Sequence, residues 1–124
     1  GKIMITEGLT PNRDLNPKEE KIMYNWLNGW ALNGMMKQGV LREHLVQSNF
    51  HSIQMTDCTK KVRRSSLILY LYAKLALIYG SLCKLVGKKY GNEITIKNTV
   101  GTKYQYIALR KGLWKYFVTI AQKK

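Results

Sequence analysis

A chain of 124 residues with 45% hydrophobic side chains has the material for one compact domain and a single core, which excludes a disordered tail and a two-domain assembly. Twenty-one Lys and Arg against seven Asp and Glu leave a formal charge of +14, far from the mixed-sign surface that solubility alone selects. Two cysteines, Cys58 and Cys83, with no C-x-x-C pair, exclude a disulfide scaffold and point to an intracellular, reducing compartment, either cytoplasm or nucleus/nucleoid.

In chain order, residues 1–15 mix Gly, Pro and Asn without a sustained period and read as an extended, loosely packed N-terminal arm ahead of a basic α+β domain over 16–124. The first firm element follows: Asn16 is placed to cap a helix, Pro17 suits its first position, and Glu19 completes capping-box spacing. Ile22, Met23, Trp26, Leu27, Trp30 and Ala31 then form the apolar stripe of a 3.6-residue period that ends near Asn33-Gly34. The stretch QGVLREHLVQ around Gly39 is short and ambiguous, whereas His51, Ile53 and Met55 alternate with Ser52, Gln54 and Thr56 as in a half-buried strand.

Thr59 is a candidate cap for a second helix with the body SSLILYLYAKLALIYG, closed by Gly80. Its apolar run from Leu67 to Tyr79 is thirteen residues long and interrupted by Lys74, short of the ~18–20 that span a bilayer. This predicts the central core helix and disfavours a membrane partner. Period-two patterning on either side of Val100-Gly101 predicts a β-hairpin over 93–109. The closing segment, with Trp114, Tyr116, Val118 and Ile120 on one side, fits a strand or a last helix equally.

Charge is better read by position than as a total. Residues 1–57 carry six basic and six acidic side chains, whereas residues 58–124 carry fifteen basic ones and a single acid, Glu93. A field of one sign attracts polyanions, and the counterions released when phosphates are neutralised drive sequence-independent binding to DNA or RNA. The candidate contacts are Lys60, Lys61, Arg63 and Arg64 in the run KKVRR, then Lys88 and Lys89, the hairpin residues Lys97, Lys103 and Gln105, and finally Arg110, Lys111 and Lys115. A two-stranded ribbon fits a major groove, where Lys and Gln read base edges or bind phosphate.

The expected architecture is a single α+β domain of αββαββα-like order with antiparallel strands packed on helices; a winged-helix-like module is the structural alternative. Trp26-Leu-Asn-Gly-Trp-Ala-Leu-Asn-Gly34, with the later stretch SIQMTDCTKKVRRSSLILYLYAKLALIYG, resembles the first helix and the strand, turn and second helix of LAGLIDADG homing endonucleases, including the endonuclease domains of inteins. The resemblance implies a duplex-DNA-binding half that pairs with a second copy or second half through its first helix, here through Trp26, Trp30, Met35 and Met36. It also implies an acidic metal ligand where this chain has Asn33, which cannot supply the negative charge that Mg²⁺-dependent cleavage needs. The expected function is therefore duplex-DNA binding by a degenerate or inactive endonuclease half, with no catalytic residue assigned and Mg²⁺ involved only if the chain is a nuclease.

Two alternatives stand beside it: an RNA- or single-strand-binding viral or mobile-element protein using its eight tyrosines for stacking, and a basic structural protein coating an anionic membrane or a genome. His44, His51 and Cys58, seven residues apart, match no metal-binding pattern, and no metal site is expected. Gly80 and Gly87-Lys88-Lys89 fail the phosphate-loop pattern, since six residues separate the glycines and no Ser or Thr follows the lysine.

Overall fold

A computed structural model describes all residues from Gly1 to Lys124. The elements are β1 (Lys2–Leu9), α1 (Pro17–Gly29), α2 (Gln38–Gln47), β2 (Phe50–Asp57), α3 (Thr59–Leu85), α4 (Glu93–Arg110) and β3 (Lys115–Lys123). The protein is an α+β domain whose antiparallel strands pack on helices, and its element order is βααβααβ rather than αββαββα.

One three-stranded sheet has the order β1-β3-β2, with β3 antiparallel to both neighbours, so β1 and β2 run parallel to each other. Residues 2–9, expected as a loose arm, pair along their whole length with β3, from Lys2↔Gln122 to Leu9↔Lys115. The closing segment is a strand because it alone has partners on both sides, and its alternation of buried Phe117, Thr119 and Ala121 with less buried neighbours is that of a central strand.

The two faces of the sheet are covered differently. Ile5, Leu9, Met55, Phe117 and Ala121 share one face and pack against Leu41 and Leu45 of α2. The ambiguous stretch is thus a helix, held in place where the Asn12 side chain accepts the Gly39 N–H at 2.7 Å. Beyond the other face lies a second core of Met23 and Trp26 from α1, Ala108 and Leu109 from α4, and Leu113 and Trp114, with Tyr116 packed against it from the sheet. The capping box at Asn16 and Glu19 forms as the sequence predicts and starts α1 in the right direction to deliver Met23 and Trp26 to this core.

The hairpin expected over 93–109 is instead the helix α4. Asn92 caps it, its side chain accepting the Thr95 N–H at 2.8 Å. Gly101, read as a turn residue, lies within the helix and marks where α1 crosses: a Cβ at Gly101 would come within 2.8 Å of the Trp30 ring. The β-branched residues that suggested strands are tolerated because tertiary packing outweighs their weak local preference.

The second predicted helix exists but differs in length and role. It continues past Gly80 to Leu85, and Gly80 serves not as a cap but as the surface on which the Tyr90 ring lies. Thr59 is the first helical residue rather than the cap; its hydroxyl accepts the Tyr116 N–H at 3.1 Å, tying α3 to β3. Of its 27 residues only Ser66, Ala73 and Cys83 are buried, so α3 is not the central core helix its composition suggests.

Candidate functional site: the α3–α4 cleft and the free edge of β1

Helices α3 and α4 form an antiparallel-looking hairpin joined by the basic link through Gly87, Lys88 and Lys89, and the Tyr70 and Tyr106 rings meet between them at 4.9 Å. Toward the link the helices part around a cleft of about 550 Å³. Leu77, Tyr90 and Ile96 supply apolar wall, and Lys84, Lys88 and Lys89 ring it. Tyr90 is fixed by its contact with Gly80 and by an edge-on packing with Tyr79 at 5.3 Å. The Cys83 side chain beside it holds the Tyr79 phenol above its ordinary pKa. The cleft pairs an apolar floor with unneutralised cations, the combination that receives a small anion carrying an apolar or amphipathic body.

Across the basic half, Lys115 alone among the fifteen cations forms an ion pair with a carboxylate, Asp57 at 3.8 Å. Burial works against the charge of Asp57, but the Thr59 hydroxyl and N–H, with Lys115 and Lys60 nearby, outweigh it and hold the carboxyl below its ordinary range. Lys74, Lys103 and Lys123 instead lie over the rings of Tyr70, Tyr104 and Phe50 at 5.5–5.7 Å. Lys60, Lys61, Arg63 and Arg64 project from the start of α3, and Arg110 and Lys111 from the end of α4.

The sequence-derived candidates therefore divide. Lys88 and Lys89 meet at the cleft, together with Lys84, which sequence reasoning did not single out. Lys97 and Lys103 sit on a helix and do not flank a turn. Gln105 is buried, and its backbone carbonyl accepts the Trp114 indole N–H at 3.1 Å, so it offers nothing to a base edge. Trp26 is buried in the chain's own core between Trp30 and Trp114, at ring distances of 6.0 and 4.9 Å, and is not free to meet a second copy. Trp30 donates its indole N–H to Thr102 at 3.3 Å, while Met35 and Met36 pack against separate internal cores. Asn33 lies exposed after α1. No three His, Cys, Asp or Glu side chains stand close enough together to hold a metal ion.

A second feature is the outer edge of β1. Strand β2, at the other side of the sheet, is blunted by an irregularity between His51 and Gln54 and alternates half-buried with exposed residues. Strand β1 has no such irregularity: its eight residues pair in unbroken register, with Met4 beside Lys2 and Thr6 on one face and Ile3 beside Glu7 on the other, Ile3 36% and Met4 67% exposed.

The chain as a whole is an α+β fold with one three-stranded antiparallel sheet. It is similar to part of a solved structure, the Haemonchus contortus phosphoethanolamine N-methyltransferase 2 in complex with phosphomonomethylethanolamine and S-adenosylhomocysteine, with a TM-score of 0.60 and 14% sequence identity. The likeness covers 99% of this chain but 26% of that one, so this chain spans about a quarter of that protein's length. No protein-family model matches the sequence, and no curated protein matches it.

Proposed function

We propose that this chain is the sheet-terminating, acceptor-side part of a small-molecule methyltransferase that uses S-adenosylmethionine as methyl donor. The observation that carries the reading is the unpaired outer edge of β1, with Ile3 and Met4 exposed, in a unit where β3 runs antiparallel between two mutually parallel strands. Doubly wound sheets commonly carry such an antiparallel strand at one side, and their ligands bind beyond the carboxyl ends of the parallel strands. The likeness to a methyltransferase over nearly the whole chain supports the same reading.

Methyl transfer asks the protein to place a nucleophile in line with a sulfonium methyl group and to exclude water. No Gly-x-Gly loop follows a strand here, and in this reading these residues have no part in holding the donor. Their own contribution is on the acceptor side. Lys84, Lys88 and Lys89 would hold an anionic group, and the wall of Leu77, Tyr90 and Ile96 would orient the rest of the molecule. The test is transfer from tritiated S-adenosylmethionine by the natural gene product containing these residues, offered phosphorylated and uncharged amines. Labelled product favouring the phosphorylated acceptor is expected; a folded protein that neither binds the donor nor transfers its methyl group removes the proposal.

A second reading, nucleic-acid binding by the basic half, is favoured by the fourteen cations that lack a carboxylate partner, Lys60, Lys61, Arg63 and Arg64 foremost. Duplex DNA would then bind with an affinity that falls steeply and linearly in log salt. Comparable, weak binding of heparin and DNA at low salt only would leave it without support.

A further inference from the structure

Helix α3 presents two opposed seams. On one side Ser66, Ala73 and Cys83 are buried, and Gly80 receives Tyr90, so small residues let α4 and the connecting link approach. On the other side Ile68, Leu71, Leu75, Ile78, Leu82 and Leu85 follow one another at alternating steps of three and four, and all are exposed, Leu85 to 83%. Tyr72, Tyr79 and Val86 widen this outward stripe. A helix that is apolar on the side away from its own domain has another apolar environment to meet.

The charge around the stripe says which. Helix α3 contains no Asp or Glu; KKVRR lies at its start and Lys74 at its middle, while Lys84 turns to the cleft on the other side. Two copies of the stripe would bring these like charges together with no acidic partners at the flanks. Crossing a bilayer is also opposed, because α3 is bound to β3 through Cys58, Thr59 and Tyr116 and is paired with a polar α4 bearing Lys97, Asn98 and Lys103. An apolar stripe about 27 Å long, led by cations that reach for phosphate, matches the interface of an anionic bilayer.

We infer that α3 lies in the plane of an anionic membrane surface, its outward stripe among the upper acyl chains and the basic residues of its first turns on lipid headgroups. The inference is independent of methyl transfer. It is tested by floating the 124-residue chain with phosphatidylcholine vesicles, with and without phosphatidylserine, beside the double variant Leu75→Asp/Leu82→Asp and the variant Lys60→Gln/Lys61→Gln/Arg63→Gln/Arg64→Gln. The substituted side chains are exposed, so circular dichroism should be unchanged.

Flotation with phosphatidylserine is expected, falling about tenfold or more in the double variant and becoming less dependent on phosphatidylserine in the charge variant. Undiminished flotation of the double variant would reduce the attraction to charge alone and overturn the inference. So would absence of flotation, or a lipid-free dimer that the double variant dissolves while vesicles remain unbound.

Discussion

Gly29 and Gly101 meet where α1 and α4 cross: a Cβ at Gly29 would stand 2.7 Å from the Gly101 Cα and 2.6 Å from the Lys97 carbonyl oxygen. These are backbone atoms that no rotamer change can move. Alanine, which ordinarily stabilises a helix relative to glycine, should here force the helices apart. Gly29→Ala is expected to cost about 1–3 kcal/mol, read as a shift of the denaturation midpoint. Gly34→Ala, with nothing within 4 Å of its added methyl, should be near neutral.

Two leucines offer a sharper contrast. Leu113 is fully buried between α1 and α4, whereas Leu75 is on the outward stripe of α3 and 63% exposed. Leu113→Ala should lose about 2–5 kcal/mol, and Leu75→Ala less than about 0.5 kcal/mol, in urea unfolding of the lipid-free chain. A large loss at Leu75 would mean that the stripe is packed in solution.

Much of this was legible in the sequence and some was not. The start of α1 was, because the capping box is local and Asn16, Pro17 and Glu19 carry it within four residues. Strand β1 was not, because its partner residues lie at the far end of the chain and its short apolar run has no internal signature. Helix α4 was hidden by Ile94, Thr95, Ile96 and Val100, which alternate as in a strand. What decides it is the Asn92 cap together with the α1 contact at Gly101. Composition found α3 but not which side of it is covered, which depends on where α4 falls. At the candidate site, Lys88 and Lys89 could be picked from the sequence as a basic cluster, while Lys84 joins them only through the helical turn that carries it to the cleft.

Acid should weaken the junction between β2, α3 and β3. The Asp57 carboxyl is held below its ordinary range in the folded chain, so the unfolded chain takes up the proton first as pH falls. Its stabilising contribution is complete above about pH 5, the upper side of the ordinary carboxylate range, and is lost as pH drops through the folded value. Asp57→Asn should lower stability at neutral pH and flatten this part of the acid limb, as followed by urea midpoints across the acid range.

At the free edge, Met4→Lys places a charge where this chain has no core of its own to disturb. The isolated chain should keep its denaturation midpoint within about 0.5 kcal/mol. If these residues serve a methyltransferase as proposed, the same substitution in the natural gene product should sharply reduce donor binding and methyl transfer, measured by calorimetry with S-adenosylhomocysteine and by tritium incorporation.

Replacing Lys84, Lys88 and Lys89 together by Gln should leave stability unchanged and, under the proposed methyl transfer, raise the KM for a phosphorylated acceptor by about tenfold or more, with a smaller effect on an uncharged one. Equal effects on both acceptors would separate the cleft from acceptor recognition.

Because β3 lies between β1 and β2, those two strands have no hydrogen bonds to each other, and the sheet has no partial form made from its first two strands. During synthesis neither can pair with the other, and their shared partner is missing until residues 115–123 emerge, although the pairing that finally joins them reaches from Lys2 to Gln122. The apolar β1 is thus a nascent segment with an interval of exposure built into its topology, one in which a chaperone or a premature neighbour strand competes with the rightful partner. Loss of the last strand would leave not a smaller sheet but none.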